Sequence, residues 1–329
     1  MYAKRLKKSD VEKILVISLS NLGDVILTFP VMDILKENFP LAKLSVIVGP
    51  KALALVNDNP AIVRAYTFDK YGSISYKLRW ILNLRKEKFD LAVDLRNTAI
   101  PFLIGSKYRT SFFVAGPKGL HRKSKHLKQL KTVYDFPQEA DHSYVFSVPK
   151  DISDSADRMI QAKLGAEKRF VVINAGAADE KKRWAPDGFA GLADEITGRY
   201  QVKVIFVGDQ ADEKTTNAVI KKMKNPCINL CGQTTLIQLA ALLKRCCLVV
   251  ANDSAVMHLA SYLDRPIVAL FGPTDPGTYG PWSAQSFAVR KNENCPACER
   301  PKKNDQHTCM AQITLDDIVH VIEIHSLLK

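Results

Sequence analysis

The chain has 329 residues, 47% of them hydrophobic and 25% charged, with a formal net charge of +13. That length suffices for two domains with full cores, and no run approaches the ~20 uninterrupted apolar residues of a membrane-spanning helix. The charge is lopsided: residues 1–150 carry 25 Lys and Arg against 13 Asp and Glu, whereas residues 151–329 carry 22 against 21, so an anionic partner is expected for the first half alone.

The basic start MYAKRLKK leads into a short apolar run and then NLGD. It reads as an arm before a first strand and not as a signal peptide, so a cytoplasmic protein is expected. The pattern predicts a strand over 13–18, a helix over 24–39, a strand over 43–49, a helix around 75–88 and a strand over 89–95. Apolar strands without clean alternation, separated by helices, predict a parallel sheet covered on both faces. The pattern restarts after Pro149. Helices are predicted over 154–164, 186–200, 211–223, 235–244 and 254–263, and a last one over 315–328. Strands are predicted over 169–176, 202–208, 247–252 and 266–272. The expectation is therefore α/β, with two βα domains in series: residues 1–150 and residues 151–329. Ligands of such sheets bind beyond the carboxyl ends of the strands, and two facing sheets would present those ends across one cleft.

Three strand ends carry unusual polar residues. In SLSNLGDVILTFP, Asp24 follows the first strand at a helix start. It would cap that helix or serve as a general base toward an acceptor hydroxyl. In INAGAADEKKRWAP a small-residue loop is followed by Lys181, Lys182, Arg183 and Trp184. Small residues let backbone N–H groups approach an anion closely, and a lysine adds full charge. In NDSAVMHLASYLDRPIVALFGPTDP, Asp253 and Ser254 stand where a strand becomes a helix, and His258 lies four residues on. A diphosphate seated on that helix start would account for this grouping, with Thr274 and Asp275 arriving at the next strand end. There is no Walker loop and no GxGxxG opening either domain, which disfavours a P-loop NTPase or a simple dehydrogenase.

These blocks, SNLGDVILTFPVMDILKENFP, AGAADEKKRWAPDGFAGLADEI and NDSAVMHLASYLDRPIVALFGPTDPGTYGPW, resemble in order the hallmark segments of glycosyltransferase family 9, the ADP-heptose:lipopolysaccharide heptosyltransferases. The resemblance implies a GT-B fold of two Rossmann-like domains with the active site between them. It also implies inverting transfer without a required metal or cofactor. By the same resemblance Asp24 matches the proposed catalytic base, and Lys182 matches the lysine that contacts the donor diphosphate. Asp253, Ser254, Ala255 and His258 match the donor-binding Asp-Ser/Thr-Gly/Ala-x-x-His motif, and Glu213 matches an acidic residue at the nucleoside ribose. Two departures stand out. Ala177 and Ala178 occupy places where some members carry threonines, leaving only backbone for the diphosphate, and Ala255 replaces a glycine. The domain of residues 1–150 is expected to bind the acceptor, a lipid-anchored lipopolysaccharide core. The domain of residues 151–329 is expected to bind the ADP-heptose donor. Contact with the inner face of the cytoplasmic membrane is then expected to be peripheral.

The densest cationic segment, PKGLHRKSKHLKQLK, resembles the family's variable acceptor-facing region, which implies Arg122, Lys123, Lys125 and Lys128 as acceptor contacts, with a solvated helix or loop as the plainer alternative. It lacks interleaved aromatics, which argues against nucleic acid. CPACERPKKNDQHTC brings Cys295, Cys298, His307 and Cys309 into one stretch. That set has the ligand types of a tetrahedral zinc site, but reduced thiols in a surface loop are the preferred reading. Cys227, Cys231, Cys246 and Cys247 are expected in the core. Rival readings are a family member with another sugar nucleotide or acceptor, and a non-catalytic polyanion-binding protein.

Overall fold

Runs of branched apolar residues with no polar alternation require burial on both faces, and they form the central strands of two parallel sheets. The structure, a computed structural model, describes all residues except 1–5, 19–20, 58, 70, 113, 115–118, 137–144, 147, 166–168, 292–308 and 329. The chain divides into two units, Met1–Ser147 and Val148–Lys329.

In the first unit the strands are β1 (Lys13–Ile17), β2 (Lys43–Val48), β3 (Arg64–Thr67), β4 (Leu91–Asp94) and β5 (Tyr108–Arg109). Their order across the sheet is β3-β2-β1-β4-β5, all parallel. The helices are α1 (Leu22–Ile26), α2 (Phe29–Asn38), α3 (Leu53–Val56), α4 (Ile74–Lys86), α5 (Ile100–Ile104) and α6 (Arg122–Lys131). The single helix expected over 24–39 is two. Thr28 turns its hydroxyl onto the Val25 carbonyl at 2.6 Å, and Pro30, which has no N–H to continue the ladder, sits in the first turn of α2. One face of the sheet is covered by α4 and α5, whose Leu84, Ile100 and Ile104 pack on Leu15, Ile17, Ile47, Phe89 and Ala92.

The second unit has β6 (Phe170–Asn174), β7 (Lys203–Phe206), β8 (Ile228–Asn229), β9 (Leu248–Asn252), β10 (Ile267–Leu270) and β11 (Ser286–Val289), in the parallel order β11-β10-β9-β6-β7-β8. Its helices are α7 (Lys150–Leu164), α8 (Pro186–Tyr200), α9 (Glu213–Ile220), α10 (Leu236–Leu243), α11 (Ala255–Tyr262), α12 (Pro276–Tyr279) and α13 (Leu315–Ile324). The ends of α10 and α13 are set by reciprocal capping boxes, Thr235 with Gln238 and Thr314 with Asp317. The start expected at 211 for α9 is instead a 3-10 turn over Gln210–Asp212, closed by a capping box between Asp209 and Asp212. Among the described residues no helix is long and apolar enough to cross a membrane.

Cys231 and Cys246 are buried in the second core as expected, whereas Cys227 and Cys247 are half-buried and pack against its margin. Cys295, Cys298 and His307 lie outside the described residues. Cys309 does not sit in a surface loop: it is fully buried, its Sγ 3.1 Å from where a Cβ at Gly272 would stand.

Candidate active site

A doubly wound sheet has one place where successive connections leave in opposite directions, and the crevice beyond the strand ends there is the usual ligand position. In the first unit the reversal falls between β1 and β4, which pair with Ile17 opposite Asp94. The loop after β1 enters α1, placing Asp24 in that helix's first turn, half-buried. Among the described residues its carboxylate makes no hydrogen bond or ion pair. It is not used as a helix cap, so its oxygens are available to take a proton.

The loop after β4 is organised by a carboxylate that the sequence did not single out. Asp94 is buried and accepts from the Arg96 N–H at 2.9 Å, the Thr98 N–H at 2.5 Å and the Thr98 hydroxyl at 2.8 Å. Burial raises its pKa, and these hydrogen bonds oppose the rise. The turn, with Asn97 at φ 55°, projects an exposed Arg96. Gln129 of α6 reaches back to the Ser111 carbonyl at 2.5 Å. On the same helix His126 is buried, and its pKa is pushed down to about 3. Burial is the main cause, followed by the charges of Arg122, Arg96, His121 and Lys125 around it. So Arg96, Arg122 and Lys125 form one cationic patch; Lys123 lies in the first turn of α6, and Lys128 is exposed farther along it.

In the second unit the reversal lies between β6 and β9, and here two asparagines brace the strand ends. Asn252 accepts from the Trp184 N–H at 3.1 Å and donates to the Ala175 carbonyl at 2.9 Å. Asn174 donates to the Val207 carbonyl at 3.0 Å and accepts from the Ser254 hydroxyl at 2.8 Å. The loop after β6 is thereby tied to β9. Trp184 anchors its far end, buried edge-on against Phe189 and donating its indole N–H to Ile313 at 2.8 Å. Arg183 clamps the Ala177 carbonyl at 2.9 and 2.8 Å, which fixes the peptides of the small-residue segment. Gly176 has no room for a side chain, because the Asp212 carboxylate lies over it. Burial, then the neighbouring Asp209, raises the Asp212 pKa.

Lys182, Asp253, Ser254 and His258 are brought together at this point. Lys182 donates to Asp253 Oδ2 at 2.7 Å, and His258 Nε2 lies 4.0 Å from the other oxygen. His258 is buried and stacks on Trp282 at 5.9 Å, so it supports Asp253 from within α11. Ser254 caps α11 by accepting from the Met257 N–H, and Ala255 is the first residue of that helix. Ala177 is buried and Ala178 exposed in the loop before Lys182. Glu213 opens α9 after β7 on the other side of β6, over Gly232, whose φ of +72° suits glycine. Asp275 is engaged as the cap of α12, accepting from Gly277 N–H and the Thr278 hydroxyl. The net arrangement is a cation aimed by a buried carboxylate at a fixed loop and a helix start, which suits a doubly charged leaving group.

Comparison with known proteins gives this geometry a context. The family model described as glycosyltransferase family 9 (heptosyltransferase) matches residues 78–308. The chain is 27% identical over 335 residues to lipopolysaccharide heptosyltransferase 3 of Escherichia coli K12, covering 92% of this chain and 94% of that protein. The crystal structure of glycosyl transferase family 9 from Veillonella parvula DSM 2008 matches with a TM-score of 0.80 at 24% identity, covering 98% of each chain. Escherichia coli heptosyltransferase WaaC with ADP-2-deoxy-2-fluoro heptose matches with a TM-score of 0.66 at 16% identity, covering 95% of this chain and 99% of that one. The expected α/β fold with two Rossmann-like sheets, of the GT-B class, is borne out.

Proposed function

The chain belongs to glycosyltransferase family 9, and from that premise we propose that it moves heptose from ADP-heptose to a hydroxyl of the lipopolysaccharide inner core, with inversion at the sugar carbon. The observation that carries this reading is the Lys182–Asp253 pair at the β6/β9 reversal, 2.7 Å long and set against the start of α11. The named activities of the relatives support the donor and the acceptor class.

In the reaction, Asp24 takes the proton of the acceptor hydroxyl as its oxygen attacks the anomeric carbon and the bond to the diphosphate breaks. Negative charge grows on the departing ADP. Lys182, the backbone N–H groups around Ala177 and Ala178, and the first turn of α11 with Ser254 and Ala255 receive it. Because both loop residues are alanines, only peptide groups serve there, and the Arg183 clamp keeps them oriented beforehand. Asp253 acts through Lys182, and His258 backs Asp253. Glu213 is assigned to the ribose. On the acceptor side, Arg122, Lys123, Lys125 and Lys128, joined by Arg96, meet the phosphates and acidic sugars of a lipid-anchored core at the cytoplasmic membrane face. The excess of cations in residues 1–150 agrees with that division of labour.

The reading is tested with Asp24→Asn. Loss of a general base is expected to lower kcat by about 10²–10⁴-fold, with ADP affinity unchanged. Retained turnover, or an equal loss of ADP binding, would remove Asp24 from that role.

A further inference from the structure

We propose that the outward side of α4 and α5 docks the N-terminal unit onto an anionic lipid surface. The inward side of α4 is accounted for: Leu84 is buried, and Trp80 and Ile81 pack on the sheet. The outward side is not uniformly polar, as a solvent-facing helix would be, but carries an apolar stripe beside its polar and cationic residues. Ile74, Leu78 and Leu82, four residues apart, are 78%, 61% and 59% exposed, and Tyr71 just before the helix is 84% exposed. Phe102 and Leu103 of α5, which packs beside α4, are about half-exposed as well. Among the described residues every exposed large hydrophobic except Ile324 belongs to the N-terminal unit. Single exposed apolar residues are ordinary, but a stripe joined to a second helix is a contact surface.

The charges on the surface identify what it contacts. The α4 sequence ISYKLRWILNLRK contains Lys77, Arg79, Arg85 and Lys86 and no acidic residue. Arg79 and Arg85 make no ion pair among the described residues, and Arg109 stands over the Phe102 ring at 4.4 Å. Apolar side chains flanked by unpaired cations match a headgroup layer, with aliphatic groups at the acyl boundary and cations among anionic phosphates. A second copy of this chain would meet the same cations face to face, and like charges oppose such pairing.

Topology links the surface to the site. A parallel β3–α4–β4 crossover begins at the carboxyl edge of the sheet, so the Tyr71 and Ile74 end of the stripe lies at the edge from which α1 and Asp24 emerge. Docking by this face holds that edge beside the headgroups, where a lipid-anchored acceptor presents its sugars. This inference goes beyond the proposed transfer, and its test reads binding without turnover.

Flotation with vesicles of phosphatidylcholine alone, or of phosphatidylcholine with phosphatidylglycerol, measures the partition directly. The protein is expected to float with the anionic vesicles only, and to be released by salt. Leu78→Ser with Leu82→Ser should lower the partition about tenfold. Arg79→Gln, Arg85→Gln and Lys86→Gln together should lower it about a hundredfold at low salt. All these positions are exposed, so the thermal transition should not move. Variants that melt like the parent yet float like it would overturn the proposal, as would equal binding to neutral vesicles. A dimer in sedimentation velocity that the leucine substitutions convert to monomer would overturn it in favour of a second copy.

Discussion

Replacing Lys182 by methionine should separate its ion pair with Asp253 from its proposed contact with the donor diphosphate. The Lys182 and Asp253 side chains are 28% and 6% exposed and 2.7 Å apart. Removing the cation leaves the carboxylate inside, with His258 Nε2 4.0 Å from its other oxygen. Orphaning one member of a fully buried pair costs about 3–5 kcal/mol. Water reaches the lysine end here, so screening reduces the cost to about 2 kcal/mol. In a unit of this size that lowers the melting temperature by roughly 4–8 °C. A charged hydrogen bond to phosphate contributes about 1.5–3 kcal/mol, so Lys182→Met should also weaken ADP binding by about tenfold to a hundredfold. Thermal unfolding and calorimetric titration of Lys182→Met, Asp253→Asn and the double variant separate the effects. The double variant should regain most of the lost stability and none of the lost ADP affinity, because a neutral amide at position 253 no longer needs a cation while the phosphate still does. Unchanged ADP affinity in Lys182→Met, or a double variant as unstable as the single one, would refute this reasoning.

Two further outcomes follow from buried groups elsewhere. His126 has its pKa pushed down to about 3 by burial and the surrounding cations, below the ordinary 6.5, so the folded protein holds it neutral. Its contribution is therefore fully present above pH ~6.5 and is lost as pH falls from there toward ~3, reaching about 2 kcal/mol of lost stability near pH 5. Urea unfolding should show that loss in the parent and not in His126→Gln, and an identical pH slope in both would contradict the assignment. Gly176→Ala drives a methyl into the Asp212 carboxylate and should cost about 1–3 kcal/mol in thermal unfolding; a neutral substitution would show that the Asp212 side chain moves aside freely.

The central strands were legible because a strand buried on both faces writes itself as a continuous apolar run. β1, β2, β4, β6, β7, β9 and β10 were all anticipated, with ends shifted by a residue or two. The four strands that were not, β3, β5, β8 and β11, are the two edges of each sheet. Edge strands are short and half-exposed, so RAYT and SFAV carry no pattern that separates them from loops. The interruption between α1 and α2 was visible in Thr28 and Pro30, but an unbroken apolar stripe concealed it. At the site, Lys182, Asp253 and Ser254 could be picked out because each stands at a strand end. Asn174 and Asn252 could not, since their meaning lies in partners 80 and 68 residues away. Arg96 and Asp94 were missed for the same reason: a DLRN turn acquires a role only when β4 is seen beside β1. Asp212 left one local signal, the Asp209-x-x-Asp212 spacing of a capping box, overshadowed by the neighbouring Glu213.

Transfer itself is the most direct test of the central claim. The protein is incubated with a heptose-deficient lipopolysaccharide core and, in parallel, ADP-heptose or the UDP, GDP and CDP sugars, and the acceptor is weighed by mass spectrometry. A mass gain of one heptose is expected with ADP-heptose alone, accompanied by release of ADP and retained when divalent metals are chelated. Transfer from a different nucleotide sugar, or no transfer from ADP-heptose while ADP itself binds, would contradict it.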